Sequence, residues 1–291
     1  MFKIGVMLES FRLNLDESIE SAKRLGVDGI QLYATGGETH YQKLQGGALE
    51  TLRHKLCDAD LEVAAVCGDF GGHGFEVADD NPHRIDETKR VIDLASELGT
   101  RVVTTHIGVI PADHDHPRRA VMLAACQAIG SYAASVGITV AIETGPEPAT
   151  VLCQFIEDLG KAAGIGVNFD PANLVMVCQE DIPIAVTTLA PYIVHTHAKD
   201  GRNLKPVDPH ELYSSFAGRP PYQGYDANAY ILETPLGEGD VPFPVYLKQL
   251  VDCGLSDLYL TIEREVGEDP YGDISKAVNF LRLQQYDVDG K

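Results

Sequence analysis

Short apolar, β-branched runs alternate along the chain with longer stretches whose apolar positions recur every three or four residues. Eight of the short runs read as strands: Lys3–Leu8, Gly29–Ala34, Glu62–Cys67, Arg101–Gly108, Ile138–Gly145, Gly166–Asp170, Ile193–Ala198 and Leu258–Glu263. Between them, Asp16–Leu25, Pro82–Leu98, Pro117–Val136, Val151–Ala163 and Phe243–Cys253 read as helices. Gly26, Gly99, Gly137, Gly164 and Gly254 follow at the helix ends, where glycine takes a left-handed conformation without strain.

Strands separated by helices pair in parallel, which makes this an α/β chain. Eight such units in 291 residues favour a closed (β/α)₈ TIM barrel, a single domain over residues 1–291, above an open doubly wound sheet. No G-x-G-x-x-G follows the first strand, so a dinucleotide-binding sheet is not expected. One connection breaks the rhythm. The loop after strand seven, 201–241, is rich in Pro, Gly, Tyr and Asp and far exceeds the usual few residues. It lies at the catalytic end of a barrel, where it would cap the site or make an oligomer contact. A mobile insertion is the third reading.

Barrel chemistry is done at the C-terminal ends of the strands, so polar residues there carry more weight than polar residues elsewhere. The twofold alternation of a strand turns Glu143 of VAIETG inward, as it does Asn168 and Asp170 of GVNFDPAN. His195, His197 and Lys199 of VHTHAKD and Glu263 of LYLTIERE share that inward side. Three buried carboxylates each pay a desolvation cost before they repel one another, and a cation relieves both. The set Glu143, Asp170, His197 and Glu263 is hard and oxygen-rich. It suits one divalent metal ion, Mn²⁺ first, with Mg²⁺, Co²⁺ or Zn²⁺ as alternatives. Taken singly, each acid could instead pair with Lys199 or Arg264, and His195, deeper in its strand, reads as a hydrogen-bonded core residue. Four such residues at one level of successive strands are poorly explained by separate structural roles. His106 of TTHIG is a candidate for the pocket wall.

The formal charge of −20 repels a phosphate backbone, so no nucleic acid partner is expected. No run approaches the roughly 20 apolar residues of a membrane span, and MFKIGVMLESFR lacks the charged region of a secretory signal. Six cysteines without a C-x-x-C pair fit buried, reduced thiols. A soluble, cytoplasmic protein acting on a small molecule is the expectation.

IETGPE, NFDPANL, VHTHAKD, PLGEGDVPF and LYLTIE, in this order and spacing, resemble the xylose isomerase-like barrels. That group includes sugar-phosphate isomerases and epimerases and the type-IV apurinic endonucleases, and the resemblance spans nearly the whole chain. It implies that Glu143, Asp170, His197 and Glu263 are metal ligands and that Glu143 and Glu263 also exchange the substrate proton. His106, Lys199, Arg264 and Glu238, the last within PLGEGDVPF, are the candidates for substrate contact; Arg264, next to Glu263, could equally pair with a carboxylate or hold the long loop. The function implied is a metal-dependent isomerase or epimerase of a sugar, sugar phosphate or polyol, in a chain able to form a dimer or tetramer. A dehydratase or lyase on a keto-sugar or inosose, a phosphodiesterase-type hydrolase and a non-catalytic sugar-binding barrel are the alternatives. The multi-zinc endonuclease branch needs histidines near the ends of strands two and three, where this chain has Tyr33, Cys67 and Asp69. Arg202, Lys205, Arg219 and Arg264 are available to a phosphate but form no recognisable cradle.

Overall fold

The computed structural model describes residues 2–160, 164–216, 218, 224 and 226–288. Seven parallel strands follow one another around a barrel: β1 (Lys3–Met7), β2 (Gly29–Tyr33), β3 (Glu62–Cys67), β4 (Val102–Thr105), β5 (Thr139–Glu143), β6 (Ile165–Phe169) and β7 (Ile193–Ala198). A two-stranded antiparallel hairpin, β8 (Asp200–Asn203) with β9 (Ile231–Thr234), interrupts the sequence. The last barrel strand, β10 (Tyr259–Ile262), pairs with β7 on one side and β1 on the other and closes the cylinder. The expected (β/α)₈ barrel is therefore the observed fold.

Alternation explains the layers. On β5, Val140 and Ile142 are buried among apolar side chains, as are Met122, Cys126, Ile129 and Ala133 of the helix Pro117–Ser135. The helices stop where the sequence provides caps: Asn14 accepts from the Glu17 N–H, Asp181 accepts from the Ile184 N–H, and Gly26 and Gly99 take φ of 64° and 83°. Two expected elements differ from the structure by more than two residues at one end. The helix expected over Val151–Ala163 runs Ala149–Asp158 and gives way at Gly160, with φ of 65°; residues 161–163 lie outside the described residues. Gly164 is required for a close approach: a Cβ there would stand 2.1 Å from the Gly130 carbonyl oxygen. The strand expected to reach Gly108 leaves the ladder after Thr105, because the Ile107 carbonyl accepts from the Phe75 N–H instead.

The described residues of the long connection after β7 form a hairpin, a helix and a turn, and the helix meets the cavity at the barrel mouth. The hairpin is followed by a turn whose backbone closes on one buried carboxylate: Asp200 accepts from the N–H groups of Gly201, Gly237, Gly239 and Val241 at 2.9 to 3.1 Å. The helix Pro209–Phe216 of this connection brings Tyr213, Ser214 and Phe216 to the cavity wall. All six cysteines are free; Cys67 and Cys126 are buried as expected, whereas Cys57 is exposed. No helix of the described residues is long and apolar enough to cross a membrane.

Asp200→Ala leaves four backbone donors without their acceptor. It should lower stability by about 2–4 kcal/mol in urea unfolding and speed amide exchange at Gly237, Gly239 and Val241 above that of the barrel strands. Unchanged protection of those amides would show that the turn does not depend on the carboxylate.

Candidate metal centre and the cavity above it

Four strand ends deliver the cluster. Glu143 closes β5, Asp170 follows β6, His197 is the penultimate residue of β7, and Glu263 follows β10. Asp170 also starts a helical turn, accepting the Asn173 N–H on Oδ1 at 3.0 Å. That bond leaves Oδ2 buried without a hydrogen-bond partner. The Nδ1 atom of His197 lies 3.2 Å from Glu263 Oε2 and 3.6 Å from both Glu143 Oε1 and Asp170 Oδ2. One ligand atom from each of the four residues falls within 4.8 Å of the others, and all four side chains are buried. The cluster could hold a divalent ion, and an unpartnered carboxylate oxygen in so dry a place is what such an ion would satisfy.

The electrostatics agree. Burial by itself would lower the His197 pKa, yet the carboxylates of Glu263 and Glu143 raise it well above the ordinary histidine value. Burial likewise works to raise the Glu263 pKa, but Lys199 and His197 bring it below the usual carboxylate range. Without an ion, then, a proton on His197 supplies the missing positive charge.

The polar surroundings fix the geometry. Gln31, an inward residue in the middle of β2, donates to Thr104 Oγ1 at 3.0 Å. Its Oε1 faces Nε2 of His195 at 2.9 Å and Nε2 of His197 at 3.2 Å. With Nε2–H of His197 donated to Gln31, Nδ1 is the nitrogen that faces the carboxylates and would bind an ion once its proton leaves. Asn173 and Asn168 donate to Glu143 Oε1 and Oε2, both at 3.1 Å. Lys199 is buried and donates to Glu263 at 3.1 Å and to Glu265 at 2.5 Å.

A cavity of about 370 Å³ opens above the cluster. Glu143 and Glu263 are on its wall, whereas Asp170 and His197 are not among its lining residues. His106 and Lys199 also line it. His106 bonds Asp69 at 3.2 Å and approaches Glu143 at 3.7 Å, beneath the Tyr213 ring at 6.0 Å. Burial opposes its protonation, but Glu143 and Asp69 prevail and push its pKa up to about 10. Two other residues expected at the substrate are placed elsewhere. Arg264 turns away to Glu233 at 2.6 Å and Asp273 at 3.0 Å. Glu238 is exposed in the turn held by Asp200, and its carbonyl accepts from Arg202. His195 is the hydrogen-bonded core residue expected, and Arg219 lies outside the described residues. Sequence reasoning missed Gln31 and Tyr213. The first was detectable as an inward amide within GIQLY; the second, in a short helix inside an irregular connection, left no periodic signal.

The chain belongs to the xylose isomerase-like TIM barrel family, whose sequence pattern matches residues 19–284. Among solved structures, a xylose isomerase domain protein from Planctomyces limnophilus is similar with a TM-score of 0.80 and 25% identity, over 100% of this chain and 99% of that chain. The probable 3-DHS dehydratase AsbF from Bacillus anthracis is similar at 0.74 and 19%, over 97% and 99%. A D-tagatose 3-epimerase-like protein is similar at 0.74 and 19%, over 99% of both chains. Comparison with curated proteins gives no significant match.

Calorimetric titration of metal-free protein with Mn²⁺ should saturate at one ion per chain. Because His197 keeps its proton above the usual imidazole range when no cation is present, the entering ion must displace that proton. Affinity should therefore rise with pH, by about tenfold per unit while the proton is still bound. Affinity that stays constant between about pH 6 and 8 would contradict ligation by His197. Gln31→Leu should weaken Mn²⁺ binding about 10- to 100-fold while the barrel stays folded by circular dichroism.

Proposed function

We propose that this protein is a divalent-metal-dependent epimerase or isomerase of a sugar or related polyol, in which Glu143 and Glu263 move the substrate proton. One observation carries the reading: of the four residues in the cluster, the two glutamates also face the cavity, while Asp170 and His197 lie behind them. The glutamates can therefore reach a substrate, and the other two can serve only as ligands. The fold is shared with an epimerase-like protein and a probable dehydratase, which supports chemistry next to a carbonyl without choosing a reaction.

When bound, the ion supplies a Lewis acid that stabilises negative charge on oxygen beside the reacting carbon. The protein contributes the proton traffic. One glutamate takes the proton from the carbon next to the carbonyl and the other returns one. Return to the opposite face of the same carbon inverts it; return to the neighbouring carbon moves the carbonyl. Asn168 and Asn173 hold the Glu143 carboxylate, and Lys199 holds that of Glu263, so both oxygens are fixed before substrate arrives. Tyr213 and Phe216 narrow the mouth and help to exclude water. A multi-metal hydrolase is disfavoured, because the described residues contain a single cluster of metal-ligand geometry.

Glu143→Gln and Glu263→Gln should each reduce deuterium incorporation from D₂O into substrate by about 10²- to 10⁴-fold. Circular dichroism should show both variants folded. Wild-type exchange by either variant would overturn the assignment of that glutamate.

A further inference from the structure

Inside the barrel, beside the cluster, lie three fully buried polar side chains that the proton transfer does not use: Gln31 on β2, Thr104 on β4 and His195 on β7. Polar groups in so dry a place cost stability unless they are paired, and here the pairing converges on one amide. Nε2 of His195 and Nε2 of His197 both face Oε1 of Gln31, at 2.9 and 3.2 Å. The two rings stand at 85° with centroids 5.9 Å apart, so two N–H groups meet the two lone pairs of a single carbonyl. The amide nitrogen of Gln31 donates to Thr104 Oγ1 at 3.0 Å.

An imidazole that binds an ion through one nitrogen keeps its hydrogen on the other. Nδ1 of His197 faces three carboxylates at 3.2 to 3.6 Å, so it is the nitrogen for the ion, and Nε2 must carry the hydrogen. Nε2 is contested. Gln31 Oε1 requires it to donate, whereas Asn168 Nδ2, which also donates to Glu143 Oε2, stands 3.2 Å from the same atom and requires it to accept. A carboxamide is nearly symmetric in shape. Turned end for end, Gln31 would present its NH₂ to His197 and reinforce Asn168. The hydrogen would then sit on Nδ1, among the carboxylates, in the place of the ion. Thr104 does not decide between the two orientations, because its hydroxyl donates or accepts equally well. A His195 that donates from Nε2 does decide, since that bond is lost when the oxygen turns away.

We infer that His195 is a positioning residue of the metal centre: its Nε2–H holds the Gln31 carboxamide with the oxygen toward His197, and this fixes the tautomer that leaves Nδ1 for the ion. The inference rests on His197 as a ligand in the reading above, and not on which substrate carbon the glutamates serve.

The test measures Mn²⁺ affinity by calorimetry in the full chain and in His195→Leu, His195→Gln, Gln31→Leu and the double variant His195→Leu with Gln31→Leu. His195→Leu should weaken Mn²⁺ about tenfold. His195→Gln, whose amide donates from nearly the same place, should recover most of that loss. In the Gln31→Leu background, His195→Leu should change affinity by less than about twofold, because the amide it acts through is gone. Additive losses would overturn the inference and leave His195 a packing residue. Spectra of the Zn²⁺-loaded wild type with ¹⁵N-labelled histidine read the tautomers directly, whether or not His195→Leu folds. Both His195 and His197 should carry hydrogen on Nε2, with zinc on Nδ1 of His197. Hydrogen on Nδ1 of His195, which then has nothing to donate to Gln31, overturns the inference and leaves the ligand set standing. Failure of the wild type to bind either ion overturns the metal centre and this inference with it.

Discussion

The structure turns on the burial of three carboxylates and an imidazole within 4.8 Å of one another. No arrangement of neutral side chains can stabilise that much like charge out of water, so the cluster needs a positive charge at its centre. The surrounding groups orient the cluster and offset only part of its charge. Gln31, Asn168 and Asn173 are neutral amides, and Lys199 is shared between Glu263 and a third glutamate. The unpartnered Oδ2 of Asp170 marks the place where the protein's own hydrogen bonds stop. A divalent ion held by Glu143, Asp170, His197 and Glu263 would satisfy that atom.

Barrel closure sets the ligands at one level. The β5–β6 register places Glu143 opposite Asn168, with Asp170 two residues further on. The β10–β7 register places Thr261 opposite His197, with Glu263 again two residues further. The same two-residue offset on both sides brings the carboxylates that follow β6 and β10 over Glu143 and His197. Above them, Asp200 gathers four backbone N–H groups of the long connection after β7, and the helix of that connection sets Tyr213 against His106. These placements put Asp170 and His197 at the bottom of the site and Glu143 and Glu263 between them and the cavity.

Strand alternation made most of this legible. An inward polar residue at a strand end is conspicuous in an otherwise apolar run, and Glu143, Asp170, His197 and Glu263 all announce themselves in this way. The same rule separates Arg264 from the site, because the residue after an inward Glu263 belongs to the opposite face. Glu238 was drawn in by its motif, PLGEGDVPF; in the fold that motif is a turn organised by Asp200, so its regularity is structural. Strand four ends three residues before the apolar run does, because contact with Phe75 in the loop after β3, a long-range event, diverts Ile107 from the ladder. Tyr213 and the Asp69–His106 pair depend on how separate loops meet, which no local pattern encodes.

The most direct test is anomalous diffraction at the manganese edge from crystals grown with Mn²⁺. A single peak per chain is expected, within ligand distance of about 2.0–2.3 Å from Glu143, Asp170, Glu263 and Nδ1 of His197. A peak at another location, or a cluster that stays metal-free with His197 turned away from the carboxylates, would contradict it.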